Sequence, residues 1–383
     1  MSDTSRILPP SEVARFTRAL PFWMSFLLPP VAVFGAYHGG WTVILLPLMT
    51  WYLFSALDAV IGTDRDNADL ATGEDHLSLY RAVTIAWVPV QFVTLFGLLW
   101  YVPQAAHLGT WERLGLFFGV GVITGTIGIN YSHELMHQKS HFERWLGDIL
   151  LAMVLYSHFR SEHLVVHHRY VGTPRDPVTA RYGEGFYRFF PRVLWQCLVS
   201  SFRGERARLQ RGNRPAYDRT NPFWRYATLQ GFMLLLAFLL AGWAGIGFFL
   251  LQAVVAIWQL ELVNYVEHYG LTRKHLGDGR YEHVKPHHSW NSDQKTSNWL
   301  LINLQRHSDH HYKPDRRYPV LQTYGPDAAP QLPFGYPVMT MLAMVPPLWR
   351  RVMNPRVQAW RSRHYPDVAD WSAYDSAANP QPR

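Results

Sequence analysis

Six stretches of this 383-residue chain each come close to the length of a bilayer-crossing helix, which takes roughly 20 apolar residues. They fall at about 19–37, 42–62, 80–101, 112–132, 225–244 and 246–266. Lipid offers no water to satisfy backbone N–H and C=O groups, so runs of this length leave the chain little choice but membrane helices. The expected fold is an all-α integral membrane protein, one membrane domain over 1–383 with six transmembrane helices and a cytoplasmic helical cap. The second stretch (WTVILLPLMTWYLFSALDAVIG) and the fifth (TLQGFMLLLAFLLAGWAGIGFF) are unbroken. The first carries Pro29-Pro30, which kinks a helix. The sixth holds Gln259 and Glu261, polar groups expected to face the bundle interior. Two further apolar stretches, WLGDILLAMVLYSH and YPVMTMLAMVPPLWRRVM, read as interfacial or re-entrant helices.

Charge orients these helices. The connections 38–41, 102–111 and around 242–247 contain no Lys or Arg, whereas 139–222 and 272–320 are rich in arginine. The positive-inside rule then sets both termini and both long loops, 133–224 and 267–383, in the cytoplasm of a bacterial inner membrane. The polar stretch MSDTSRILPPSEVARFTRA lacks a small-residue cleavage site, so no removable signal is expected. A net charge of +8 points to anionic membrane lipid or an acidic protein partner. No nucleic-acid-binding motif accompanies the basic residues, and none is expected to bind there. Cys197 is the only cysteine, which excludes an internal disulfide and a cysteine-ligated iron centre.

The chain has 19 histidines, and nine of them fall in four groups on the cytoplasmic side. HELMH sets His133 and His137 at i, i+4 on one helical face, and SEHLVVHHRY sets His163 and His167 likewise, with His168 beside them. NYVEHYG contributes His268, and LQRHSDHH brings His307, His310 and His311 at i, i+3 and i, i+4. One metal takes about four to six ligands, so nine imidazoles in one layer point to two metals. HELMH also matches the HExxH pattern of zinc proteases, yet that site needs one further ligand and leaves the other histidines unexplained. A histidine-rich metal transporter would carry His or Asp at mid-bilayer depth, where spans one to four are nearly free of ionisable groups. Neutral nitrogen ligands suit iron, copper or zinc, and of these iron activates dioxygen where zinc has no redox chemistry. Attack on an unactivated C–H bond with O₂ needs two external electrons. The chain has neither a dinucleotide fingerprint nor a cysteine motif for an electron carrier. A separate acidic donor is therefore expected at the arginine-rich cytoplasmic face, to which Arg306 and Lys313 add. An oxygenase set in a membrane implies a substrate dissolved in lipid.

With HELMH, EHLVVHH, NYVEHYG and LQRHSDHH, and the stretch DGRYEHVKPHHSWNS, the chain resembles the AlkB-type integral-membrane alkane 1-monooxygenases of the membrane fatty acid desaturase/hydroxylase superfamily. The likeness runs from the first span to about residue 360. LQRHSDHH with NYVEHYGL separates it from the fatty acid desaturases, which share the general three-box plan and are the alternative activity. The resemblance implies a non-haem di-iron centre of two iron ions, with His133, His137, His163, His167, His168, His268, His307, His310 and His311 as ligands. It implies terminal hydroxylation of medium-chain n-alkanes to 1-alkanols with O₂. Rubredoxin would deliver the electrons, itself reduced by a flavin-dependent rubredoxin reductase with NADH. Gln138 stands where many members have lysine, and Val166 where the second box usually has glycine. The tail to Arg383 contains no CxxC, so a fused rubredoxin is not expected within this chain.

Glu134, Glu162, Glu267 and Asp309 each neighbour one of these histidines. Metal-bound imidazoles usually donate their second N–H to a carboxylate or carbonyl, and these four are the expected partners. Asp309 has a competing partner in Arg306. Asp58 is expected either to bond ligand histidines or to satisfy backbone near them. His287 and His288 lie outside the boxes and are assigned a structural or donor-docking role. An alkane offers nothing to hydrogen-bond, so its site should be an apolar tunnel closed by bulk. Trp51, within the second span, is the expected limit on chain length; its depth argues against an interfacial anchor.

Overall fold

The computed structural model describes residues 12–380; residues 1–11 and 381–383, at the ends assigned above to the cytoplasm, lie outside the described residues. In chain order come α1 (Phe16–His38), α2 (Gly40–Ile61), α3 (Glu74–Gln104) and α4 (Thr110–Met136). Then follow α5 (His141–Ala152), α6 (Phe186–Arg211) and the 47-residue α7 (Pro222–His268). After a two-stranded ribbon, β1 (His275–Gly277) with β2 (Arg280–Tyr281), come α8 (Lys295–Leu300), α9 (His307–Tyr312), α10 (Tyr336–Ala343) and α11 (Pro346–His364). Among the described residues, five helices are long and apolar enough to cross a membrane, α1 to α4 and α7.

The fifth and sixth expected spans both lie in α7, which is not one straight rod. Ala241 (φ −148°, ψ 21°) and Gly242 (φ 56°, ψ −142°) leave the helical region. Gly242 takes the positive φ that glycine adopts without steric penalty. Gly245 then lies so close to the Ala237 carbonyl that a Cβ would overlap it, whereas eight residues of unbroken helix would separate them by about 12 Å. The chain therefore doubles back within the connection expected near 242–247.

Both α4 and the second half of α7 continue past their apolar windows, because their last turns are polar and carry His133 and His268. The two rods approach closely. A Cβ on Gly121 would sit 2.6 Å from the Gln252 carbonyl, and one on Gly125 would sit 2.6 Å from that of Ala256. Small residues at such a crossing let backbones meet, here bringing the two histidine-bearing ends together. The stretch Thr124–Ile129 within α4 is π-helical, a local widening frequent at functional sites.

In α1 the expected kink appears as a change of helix type, with Leu20–Leu27 in the 3₁₀ form and Pro29-Pro30 opening the α-helical part. Val93, Leu235, Leu239 and Val254 are exposed on α3 and α7, an apolar surface suited to acyl chains rather than water. The chain is a membrane protein. Of the two shorter apolar stretches, the first forms α5, whose 12 residues are too few to span. The second forms α10 and the start of α11. Tyr265 and Tyr269 from the end of α7 pack with Trp290, Tyr336 and Trp349 in a second apolar core.

Candidate metal centre

The nine clustered histidines converge in two groups. His133, His137, His163, His168 and His310 form one, and His167, His268, His307 and His311 the other; within each, one ring nitrogen per residue lies within 4.8 Å of the rest. His137 and His168 are half-buried and the other seven are buried. The groups adjoin, with the His168 and His311 rings 4.8 Å apart between centroids.

Helix type decides which histidine joins which group. His163 and His167 were expected on one face at i, i+4, and the structure separates them. Glu162–His167 is a π-helical turn, in which residues five apart face one another. His163 and His168 accordingly meet at 2.9 Å between Nε2 atoms, while His167 turns to His311 at 3.2 Å. In α9 the ordinary spacing holds, and His307 meets His311 at 2.9 Å. His310 points the other way, 2.9 Å from His133 and 3.1 Å from His168. His133 and His137 both approach His163, at 2.9 and 3.1 Å, as their i, i+4 spacing requires.

These distances fit cation binding better than hydrogen bonding. A ring nitrogen of neutral imidazole offers one proton or one lone pair. His163 Nε2 faces three other Nε2 atoms at once, and no placement of single protons satisfies that arrangement. A metal about 2.1 Å from each nitrogen would hold ligand atoms at right angles about 3 Å apart. Burial, followed by the neighbouring imidazoles, pushes the pKa of His137 down to about 3 and those of His163, His168, His307, His310 and His311 well below the usual histidine range. Neutral imidazoles are the form that ligates metal. The donor set fits two metals that favour nitrogen.

The acidic residues divide differently from expectation. Glu267 Oε2 lies 3.3 Å from His307 Nε2, the nitrogen that also faces His268 and His311, so it stands on the metal-facing side of the ring and not at its second N–H. Glu162 is fully buried and meets no histidine, with only the Cys197 thiol directed at its carboxyl; burial first, then Asp176 and Glu261, raise its pKa well above the ordinary value. Glu134 accepts from Gln138 Nε2 at 2.8 Å, within the same helical turn, rather than from a histidine. Asp309 binds Arg316 (2.5 Å), the Tyr324 hydroxyl (2.5 Å) and the Gln322 N–H (2.9 Å). Asp58 accepts the Ser297 N–H at 2.9 Å near the start of α8, the backbone role among its two expected ones. Arg306 does not belong to the basic face expected for a donor. It is 5% exposed and donates to the Leu321 and Asp66 carbonyls, pinning the loop before α9.

One carboxylate had no sequence signal as a histidine partner. Asp176 Oδ2 lies 3.0 Å from His167 Nδ1. Its other bonds, from the Val178 N–H (3.1 Å) and the Thr179 hydroxyl (2.7 Å), are those of a local Asp-Pro turn. The turn is readable from DPVT, but its meeting with His167 is not.

Glu282, His287 and His288 form a third group of metal-ligand types. His288 Nδ1 accepts the Lys285 N–H at 2.9 Å, so neutral His288 carries its proton on Nε2 and directs that proton at the Tyr365 hydroxyl, 2.7 Å away. Tyr365 in turn donates to Glu282. Burial disfavours the Glu282 carboxylate, but bonds from His288, Tyr365 and the Lys274 N–H outweigh it and hold its pKa far below the ordinary value. The group is a hydrogen-bonded brace joining the ribbon region to the end of α11, with no lone pair free at His288 Nε2.

A mainly apolar cavity ends on His133, His163 and His307. Ile129, Leu260 and Val263 line its sides, with Gly125, Thr126 and Gln259 further along. Trp51 stands behind that wall, its Nε1 donating to Gln259 Oε1 at 3.1 Å. On the other side of the π-turn, Arg169, Arg175, Arg203 and Arg211 line a groove between that turn and α6, with Tyr170 and Trp195 and no acidic residue.

The model of the fatty acid desaturase family matches residues 109–343. The chain is 42% identical over 333 residues to alkane 1-monooxygenase 2 of Pseudomonas aeruginosa, covering 85% of this chain and 86% of that protein. It is 38% identical over 353 residues to alkane 1-monooxygenase 1 of the same organism, covering 88% and 91% respectively. An alkane 1-monooxygenase of Pseudomonas putida is 38% identical over 345 residues, with 88% of this chain and 84% of that protein covered.

Proposed function

The chain belongs to the alkane 1-monooxygenases within the fatty acid desaturase family, and on that footing we propose that it hydroxylates the terminal methyl of medium-chain n-alkanes with O₂, giving 1-alkanols. The observation that carries this reading is a mainly apolar cavity whose one end is walled by imidazoles of both groups, His133 and His163 from the first and His307 from the second.

We assign the nine histidines as ligands of two irons, five on one and four on the other. Iron bound there would supply the reduction of O₂ that oxidises a C–H bond. Every other contribution comes from the chain. Asp176 fixes the His167 tautomer through Nδ1–H, leaving the Nε2 lone pair for the metal. Glu267 stands beside His307 Nε2, where its carboxylate would neighbour the bound metal. Asn130 holds the Leu301 carbonyl at 2.7 Å, fixing one wall of the cavity beside His133. An alkane has no polar group to orient it, so the shape of a closed apolar channel must direct its methyl end to the imidazoles. Trp51 limits chain length from behind Gln259.

In the bilayer, α1 to α4 and the two halves of α7 make six crossings, with the histidine layer, the cap and both termini on the arginine-rich cytoplasmic side of a bacterial inner membrane. Two electrons come from rubredoxin, kept reduced by its NADH-dependent reductase. The groove of Arg169, Arg175, Arg203 and Arg211 is its docking face. Its lining includes Arg169, next in the chain to His168, a half-buried member of the five-histidine group. Opposed charge there favours the encounter.

The deciding experiment supplies purified, iron-loaded protein with octane, rubredoxin, its reductase and NADH. Formation of 1-octanol is expected. An alkene product would replace hydroxylation with desaturation, and peptide cleavage or full activity with zinc alone would overturn the reading.

A further inference from the structure

The far wall of the cavity contains a side chain that an alkane channel would not select for apolarity. Gln259 is 4% exposed and lines the mainly apolar cavity. Its Oε1 accepts from Trp51 Nε1 at 3.1 Å, and the Thr126 hydroxyl reaches the same oxygen at 3.5 Å. An indole nitrogen can only donate, so the atom it meets must be the amide oxygen. The Nε2 of Gln259 is then left buried with no partner. An unpaired amide donor in an apolar wall is unfavourable, and leucine would fill similar space without that penalty. The bond to Trp51 accounts for a glutamine at this position.

Trp51 lies in the π-helical stretch Leu48–Leu53 of α2. Its ring meets Phe118 and Trp258 edge-on, each at 6.1 Å between centroids. Such contacts favour an orientation but fix no single atom. The Nε1–Oε1 bond supplies that fixed point. Gln259 cannot retreat from it towards α4, because a Cβ on Gly125 would already lie 2.9 Å from the Gln259 Cβ.

We infer that Gln259 is a positioning residue that sets the accepted alkane length by latching the far wall of the cavity to the Trp51 indole behind it. Gln259 and Glu267 both line it, and eight residues of helix place them about 12 Å apart. A chain longer than this depth must push Gln259 back against the indole, and the latch opposes that displacement. The inference rests on the alkane reading above and names what limits its substrate.

The test presents purified enzyme, rubredoxin, reductase and NADH with an equimolar mixture of n-alkanes from hexane to hexadecane, and measures the ratios among the 1-alkanols formed. Gln259→Leu should shift those ratios towards longer chains by on the order of tenfold. Gln259→Asn, one methylene too short to reach Trp51, should shift them in the same direction if the leucine variant does not accumulate. In a Trp51→Phe background, which lacks the N–H, neither change should add a further shift. Gln259→Glu, which keeps an acceptor oxygen, should preserve the wild-type ratios. Unchanged ratios in both latch variants, or a shift of equal size in the Trp51→Phe background, would overturn the latch. If wild-type enzyme forms no 1-alkanol from any member of the mixture, the alkane reading itself fails.

Discussion

At the residue scale, what distinguishes the acidic neighbours of the histidines is where their oxygens point. Asp176, nine positions after His167, takes that residue's Nδ1, whereas Glu134, adjacent to His133, is turned to Gln138. Asp176→Ala should therefore lower bound iron and alkanol formation by about 10–100-fold, the usual loss when such a partner is removed. Asp176→Asn, which can still present an oxygen to Nδ1–H, should lose less. Glu134→Ala serves as the contrast. It removes one of the two acceptors of the buried Gln138 Nε2, the Glu134 carbonyl remaining at 3.0 Å, at a cost of about 1 kcal/mol in stability, while iron content stays unchanged. Iron per protein and thermal midpoint, measured on the same three samples, separate the two residues. Iron loss in Glu134→Ala with none in Asp176→Ala would reverse their roles. Adjacency in sequence suggested Glu134 because it lies beside a box, but a helix points neighbouring side chains about 100° apart. The Asp176 contact depends on how the loop after His168 folds back.

At the scale of elements, the π-turn Glu162–His167 sorts the histidines between the two groups. Sequence spacing paired His133 with His137 and His307 with His311 correctly, since both pairs lie on ordinary helical spacing. It failed at His163 and His167 because a π-turn holds one more residue than α-helical spacing allows, and EHLVVHH has no residue that marks the insertion. Packing marks it instead. Val166 stands where related second boxes usually carry glycine, and Gly204 of α6 faces it. A Cβ on Gly204 would lie 3.1 Å from Val165 Cγ1 and 3.4 Å from Val166 Cγ2. Bulk is thus present on the turn and absent from α6. Gly204→Leu should push the π-turn away, destabilise the protein by about 1–3 kcal/mol through overpacking, and weaken iron binding at the five-histidine group. Adding Val166→Gly to it should restore part of both losses. Calorimetry and iron content read the two effects. If Gly204→Leu leaves stability and iron unchanged, α6 does not support the turn.

At the scale of the whole molecule, the six apolar windows fall on the five long apolar helices, two of them on α7, because hydropathy reports what lipid requires. They ended too early at His133 and His268, where the helices leave the apolar layer and their exposed-looking polar turns are in fact buried together. That burial has a consequence for acid stability. His137, with its pKa pushed down to about 3, and His163, His168, His307, His310 and His311, all well below the usual range, resist protonation in the folded chain. In the unfolded chain the same residues take protons at about pH 6.5. For groups whose folded pKa is depressed, the unfolded state binds protons first as pH falls, so stability is intact above about pH 6.5 and declines below it towards the folded values. Metal at these nitrogens competes with the same protons, and six groups moving in one direction make the decline steep. Lowering the pH from neutral to about 5 should release iron and depress the thermal midpoint together. Prior chelation of the metal should lower the midpoint at neutral pH but leave the direction of the pH dependence in place. Because the groups are buried, added salt should alter either change little. Iron content and thermal midpoint followed across that pH interval at two ionic strengths provide the check, and a midpoint that holds level while iron is lost would separate the histidine layer from the stability of the fold.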